Sequence, residues 1–235
     1  MSDPVKPSVL ILAGGLGTRL RSVVSDRPKV MADVDGKPFL EHLLTYLYGF
    51  GFRHFVISTG YMADLIKDLG VSLKGISIEY CHEGKPMGTG GAIRLALPYF
   101  KSETVLVMNG DSFCSLDYNK FLESYHLRGR VDSLVITEVE DVSRYGFVEL
   151  STCDRVKSFE EKGQGSGVGF INAGIYLLNK TTIESLPQEV NISLEKEVFP
   201  NMSNLHAFKT SGPFIDIGTP ESYDRAGQFF NNLRD

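Results

Sequence analysis

The chain has 235 residues, 42% of them hydrophobic and 23% charged, with a formal net charge of -5. That is enough apolar chain for one sizeable α/β core. The acidic balance, with no dense Lys/Arg run, excludes a general nucleic-acid surface, and no apolar run approaches the ~20 residues of a membrane-spanning helix.

Residues 1–7 are polar and proline-bearing and read as a loose N-terminal arm, without the cationic lead and apolar middle of a secretory signal. The first strand is Val9 to Leu12, an apolar run that ends in Ala13-Gly14-Gly15-Leu16-Gly17-Thr18-Arg19-Leu20. A glycine-rich turn after a buried strand lets backbone N–H groups approach phosphate oxygens. Arg19 and Lys29 follow closely as fixed cations, and Pro28 sets Lys29 on a stiff extended segment. The run is not a dinucleotide fingerprint, because Leu20 stands where the third glycine belongs, nor a P-loop, because no Gly-Lys-Ser/Thr completes it.

Downstream, helix-like and strand-like segments alternate. The amphipathic Phe39 to Phe50 puts Leu40, Leu43, Leu44 and Leu47 on one face. His54 to Ser58 is predicted as a strand, Tyr61 to Leu69 as a helix, Ile76 to Tyr80 as a strand, Gly91 to Tyr99 as a helix and Thr104 to Met108 as a buried strand. Such alternation predicts an open, mostly parallel sheet flanked by helices, with ligands at the carboxyl ends of its strands. Asp117 to Leu127 is the next predicted helix. Ser133 to Glu138, Gly146 to Leu150, Arg155 to Glu160 and Phe170 to Leu178 follow closely as mixed and antiparallel additions. Predicted helices over Thr181 to Leu186, Leu194 to Phe199 and Pro220 to Asn232 complete the chain, the last capped by Thr219. Gly163 to Gly169 reads equally as a mobile loop beside the site and as a hairpin connection. Cys81, Cys114 and Cys153 are widely spaced and odd in number, which favours a reducing, cytoplasmic setting. The five histidines show no ligand spacing.

Gly-Gly-x-Gly-Thr-Arg-Leu with Pro28-Lys29 downstream resembles the sugar-1-phosphate nucleotidylyltransferases. The resemblance continues through Glu83 to Ala92, Asn109-Gly110-Asp111, Tyr145-Gly146, Phe159 to Lys162, Asn172 to Tyr176 and Asp216 to Pro220. It implies a Rossmann-like, GT-A-like fold in one domain over residues 8–235, with a nucleotide-binding half over about 8–115 and a sugar-binding half over about 116–235. It also implies a reaction in which a sugar 1-phosphate oxygen attacks the α-phosphorus of a nucleoside triphosphate and expels pyrophosphate. Arg19 and Lys29 are then the catalytic cations. Ala13, Gly14, Gly15, Gly17, Thr18, Arg19, Glu83, Gly88, Thr89 and Gly90 contact nucleotide, and the stretch from Thr89 to Gly91 turns a helix amino end toward it. Asp111 and Asp216 match the metal-binding aspartates, and their hard oxygens suit Mg2+; taken singly, each reads equally as a turn residue. Tyr145, Gly146, Glu161, Lys162 and Asn172 match positions that hold the sugar phosphate.

Glu83 only accepts hydrogen bonds when ionised, and guanine offers two adjacent donors, which favours GTP; backbone contacts at Gly88 and Gly90 are the alternative reader. After Leu20 the chain leaves the common family wording, and Arg21 to Asp26, with Glu83, looks like the members that guanylylate D-glycero-α-D-manno-heptose 1-phosphate. Mannose 1-phosphate is the nearest rival sugar, and a uridylyl or cytidylyl transfer to another sugar is the wider alternative. A nucleotide-sensing subunit without turnover is the competing non-enzymatic reading, against which the retained charged residues speak. A homo-oligomer is compatible with all of these.

Overall fold

The computed structural model describes residues 6–67, 69, 73–159 and 165–233. Seven strands build the main sheet: β1 (Ser8–Leu12), β2 (His54–Thr59), β3 (Ser77–His82), β4 (Thr104–Asn109), β5 (Ser133–Val139), β6 (Gly169–Asn179) and β7 (His206–Thr210), in the order β7-β5-β6-β4-β1-β2-β3. Parallel pairing joins β3, β2, β1 and β4 on one side and β5 with β7 on the other, while β6 runs antiparallel to both of its neighbours. The predicted α/β sheet is therefore the observed one.

Its central strands carry continuous apolar runs, Val9 to Leu12, Phe55 to Ile57 and Val105 to Met108, because both faces are covered. Val9, Ile11, Leu106 and Met108 join one core with Leu40, Leu43, Leu44 and Leu47 of helix α1 (Phe39–Gly49). The alternate residues Leu10, Val56, Val105 and Val107 join a second core on the other face with Ile93 and Ile183. The strand period of two thus sorts one run of apolar residues into two cores.

Helix α2 (Ala63–Lys67) is shorter than the predicted Tyr61 to Leu69, because Met62 takes a positive φ of 54° that a helix does not admit. Helix α3 (Gly88–Leu95) begins three residues before the predicted Gly91. Helix α4 (Tyr118–Leu127) starts where expected, capped by Asp117, whose carboxylate accepts from the N–H groups of Asn119 (3.0 Å) and Lys120 (3.1 Å). Helix α5 (Lys180–Ser185) follows β6 directly. The predicted helix over Leu194 to Phe199 is instead one wide turn, Leu194–Val198, and a 3-10 turn over Phe199–Asn201 in which Pro200 removes a donor. The predicted tail helix is two, α6 (Pro220–Asp224) and α7 (Ala226–Asn232), separated at Arg225; Thr219 caps the first through a reciprocal bond pair with Ser222.

Val148–Leu150 and Val156–Phe159 form a separate antiparallel pair outside the main sheet, shorter than predicted. The strand Phe214–Asp216 pairs with Ser112–Cys114, setting Asp216 opposite Ser112. Phe230 of α7 stacks on His42 of α1 at 4.2 Å and meets Phe113 edge-on at 4.9 Å, clamping that pair against the core. Among the described residues, no helix is long and apolar enough to cross a membrane.

Candidate active site

The loop after β1 is shaped by what surrounds it. The Ala13 N–H donates to the Ser58 carbonyl at 2.9 Å, which ties the loop's root to β2. A Cβ on Gly14 would lie 2.2 Å from Glu83 Oε1 and displace that carboxylate, and Gly60 on the other side would place its own within 2.9 Å of the Gly14 carbonyl. Gly17 takes a φ of 60° and lies over Lys29. Leu20, only 1% exposed, anchors the far end. Among the described residues no protein group accepts from the N–H groups of Gly14 through Arg19. A run of free donors following a buried strand is an anion cradle. Arg21 lies over the Tyr61 ring at 4.8 Å and ties the loop's outer flank to the connection before α2.

Four charged residues converge below that cradle. The Lys29 ammonium donates to Asp111 Oδ2, with the two side chains 13% and 28% exposed. The Asp111 carbonyl accepts from the Ile217 N–H at 2.9 Å, so the Asp216 strand is stitched to Asp111 itself. A Cβ on Gly218 would lie 2.4 Å from Asp216 Oδ1 and 3.5 Å from Arg19 Nη2, which puts the arginine beside the second aspartate. Lys29 and Asp111 thus line one cavity at the carboxyl ends of β1 and β4, while Asp216, with Arg19 beside it, is tied to Asp111 through the backbone and lines a second cavity. One expectation needs correcting: Lys29 opens a 3-10 turn, Lys29–Met31, and only Pro28 before it is extended (φ -59°, ψ 147°). Hard oxygens from two adjacent strands, beside a phosphate cradle, are a donor set that fits a divalent cation held partly by substrate phosphates. Among the described residues there is no cluster of three or more His, Cys, Asp or Glu side chains that binds metal by itself.

A cavity of about 430 Å³ opens beside the loop, lined by Ala13, Gly14, Gly15, Lys29, Glu83, Gly88, Thr89, Asn109 and Asp111, with Leu12, Leu16, Val30, Pro86, Met87, Ala92 and Asn191 supplying most of the remaining wall. Glu83 is held from two sides: Oε1 accepts from Ser58 Oγ at 2.7 Å and Oε2 from the Met87 N–H at 3.3 Å. Each carboxylate oxygen keeps acceptor capacity. The Cys81 thiol nearby is pushed up to about 11 by burial and by Glu83, so it stays protonated at neutral pH.

The helix amino end predicted to face nucleotide is engaged elsewhere. The N–H groups of Gly90 (2.8 Å) and Gly91 (3.4 Å) both donate to the Ile192 carbonyl, and Ile192 N–H returns a bond to Met87 at 3.0 Å. A Cβ on Gly88, Gly90 or Gly91 would strike the 190–192 segment, so these glycines serve its docking. Gly88 and Thr89 line the cavity; Gly90 supports it from behind.

On the opposite side, Tyr145 is half-buried, and burial and the Asp216 carboxylate raise its hydroxyl pKa. Its ring meets Phe214 edge-on at 5.9 Å. Phe147 bridges to Ile171 in antiparallel sense, which lays Gly146 beside Asn172. A further cavity of about 690 Å³ reaches Tyr145 and Asp216 from the side of α7. Between Asn172 and Tyr176, β6 advances four residues while β5 advances two, a bulge made possible by Gly174 (φ 72°), where a Cβ would lie 2.4 Å from Asn109 Nδ2. The bulge brings the Asn172 amide to Tyr176 and packs Gly174 against Asn109 in the wall of the 430 Å³ cavity. Glu161, Lys162 and the start of the Gly163 to Gly169 segment lie outside the described residues. Asn191 and Glu195 are site or near-site residues that the sequence reading missed; each bonds to partners remote in sequence, and no local pattern marks them.

A model of the nucleotidyl transferase family matches residues 8–232. The D-glycero-α-D-manno-heptose 1-phosphate guanylyltransferase of Aneurinibacillus thermoaerophilus is 40% identical over 224 residues, covering 92% of this chain and 95% of that protein. The protein of the same name from Campylobacter jejuni is 39% identical over 217 residues, covering 91% and 96%. Among solved structures, HddC from Yersinia pseudotuberculosis complexed with GMP-PN superposes with a TM-score of 0.86 at 41% identity, over 96% of this chain and 100% of that one.

Proposed function

The chain belongs to the nucleotidyl transferase family, and from that we propose that it transfers GMP from GTP to D-glycero-α-D-manno-heptose 1-phosphate and releases pyrophosphate. The observation that carries the reading is the N–H run from Gly14 to Arg19 without a protein acceptor among the described residues, with Gly17 over Lys29, Lys29 paired with Asp111, and Arg19 beside Asp216. It supplies a triphosphate grip with charge of both signs at one place. The names and similarity of the heptose guanylyltransferases support the choice of sugar and base.

In the proposed reaction a sugar phosphate oxygen forms a bond to the α-phosphorus as the bond to the β-phosphate bridging oxygen breaks. The electron pair leaves with pyrophosphate. No base is needed, because the attacking phosphate is already anionic, so the chain's contribution is alignment and charge neutralisation. Loop N–H groups and Arg19 hold the departing diphosphate, and Lys29, paired with Asp111 in the structure, meets an α-phosphate oxygen. Asp111 and Asp216 would hold a divalent cation such as Mg2+, which would supply Lewis-acid neutralisation of the phosphates. Tyr145, Gly146 and Asn172 face the sugar, with Glu161 and Lys162 proposed for its hydroxyls and phosphate.

Guanine N1–H and N2–H are the donors that Glu83 is placed to accept, its carboxylate being held by Ser58 and Met87. Glu83→Gln offers one acceptor and one donor instead, so the preference for GTP over UTP should fall about tenfold. Competition among GTP, CTP, UTP and dTTP measures it, and unaltered selectivity assigns base reading to the backbone. The reading as a whole is tested by pyrophosphate release from those four triphosphates paired with heptose, mannose, glucose and N-acetylhexosamine 1-phosphates. GTP with the heptose should dominate; a flat or empty matrix contradicts it.

A further inference from the structure

Glu195 stands in the wide turn Leu194–Val198, and its carboxylate faces two half-sites at once. Oε2 accepts from Thr89 Oγ1 at 2.8 Å and from Ser193 Oγ at 2.9 Å; Thr89 in turn accepts from the Leu194 N–H at 2.8 Å. Oε1 accepts from the hydroxyl of Tyr176 at 2.9 Å. Tyr176 is 0% exposed, so that hydroxyl has to be satisfied inside the protein. It also receives Asn172 Nδ2 at 2.9 Å, while Asn172 Oδ1 accepts from the Gly174 N–H at 2.8 Å.

The direction of these bonds follows from chemistry alone. A carboxylate only accepts, so the single proton of Tyr176 is committed to Glu195. The tyrosine oxygen then has only acceptor capacity to offer, and the amide must turn its NH2 group toward it. The Gly174 N–H makes the same demand from the other end. Both constraints select one of the two flips of the Asn172 amide.

We propose that Glu195 is a positioning residue for the sugar phosphate, acting through Tyr176 to hold the Asn172 amide in one orientation. Resting on the function proposed above, the remaining N–H of that amide is the donor offered to an oxygen of the sugar. Because the same carboxylate holds Thr89 at the rim of the nucleotide cavity, one anchor sets both half-sites.

Two variants test this. Tyr176→Phe keeps the buried ring and deletes the relay, and Glu195→Met keeps the side-chain length and removes both acceptors. Pyrophosphate kinetics with GTP and the heptose 1-phosphate should show a sugar-phosphate KM raised about tenfold in each, with the GTP KM of Tyr176→Phe changed by less than about twofold. In an Asn172→Ala background Tyr176→Phe should add no further loss in the sugar-phosphate KM, since the group it orients is gone. Losses that multiply in that background, or an unchanged sugar-phosphate KM in the single variants, overturn the inference. In 15N-labelled, substrate-free protein the Asn172 side-chain amide signals should move in both variants, and signals that stay in place overturn it whatever the turnover. Absence of pyrophosphate from the unaltered protein would remove the proposed function, while the amide signals would still decide the role of Glu195.

Discussion

Arg19→Ala should lower kcat by about two to three orders of magnitude, the range set by removing a donor aimed at charge that develops in the transition state. The guanidinium stands beside Asp216 and Gly218, at the end of a loop whose N–H groups have no protein acceptor among the described residues. It is exposed, and Leu20 next to it does the anchoring, so the fold should survive with a stability change within about 0.5 kcal/mol. The GTP KM should move far less than kcat, because the interaction grows as pyrophosphate departs. Arg19→Lys should recover part of the loss through charge alone, without the planar fork. Steady-state pyrophosphate release with a melting curve alongside measures all three, and near-normal kcat in Arg19→Ala would contradict the role.

Asp111→Asn should cost at least about a hundredfold in kcat and move the divalent-cation requirement to higher concentration, since metal neutralisation of phosphate is worth several kcal/mol. Asparagine preserves shape, and the backbone bond between the Asp111 carbonyl and the Ile217 N–H is untouched, so the neighbouring Asp216 strand should stay in register. Lys29, its side chain 13% exposed, loses its counter-ion but keeps the asparagine carbonyl as an acceptor, so a stability loss of about 1 kcal/mol is expected. Titrating turnover against Mg2+ checks the prediction. An unchanged midpoint and kcat would remove Asp111 from the metal site.

The legible parts of the fold were those with a strong period or a strong stop. Val9 to Leu12, Phe55 to Ile57 and Val105 to Met108 are apolar runs because they lie at the centre of the sheet, and α1 carries a clean helical face. Strand β7 went unread: it is an edge strand, only half-buried at His206, Phe208 and Thr210, and its place is set by pairing with β5. Ser112–Cys114 and Phe214–Asp216 are too short to show alternation, yet their pairing is what delivers Asp216 to Asp111. At Arg225 the tail helix breaks without proline or glycine, and only the three-dimensional context shows it.

The site divides the same way. The glycine loop, Lys29, Asp111 and Asp216 are marked by residue type and order; Gly14, Gly15, Lys29 and Asp111 line one cavity, and Asp216 is tied to Asp111 through the backbone. The engagement of Gly90, Gly91 and Thr89 by residues 192–195 is invisible locally, since Thr89 and Glu195 are 106 positions apart. A glycine-rich helix start reads as an anion site from sequence; here the same absence of side chains admits a neighbouring carbonyl. Contacts of that reach depend on the assembled sheet, not on spacing.

The central claim, that the α-phosphorus of GTP is attacked by the sugar phosphate, is tested most directly by following label position. With GTP carrying 32P at the α or the γ position, the heptose 1-phosphate and Mg2+, the α label should leave in the nucleotide sugar and the γ label in pyrophosphate. Appearance of the γ label on the sugar or as inorganic phosphate, or an α label that stays in GTP, would contradict it.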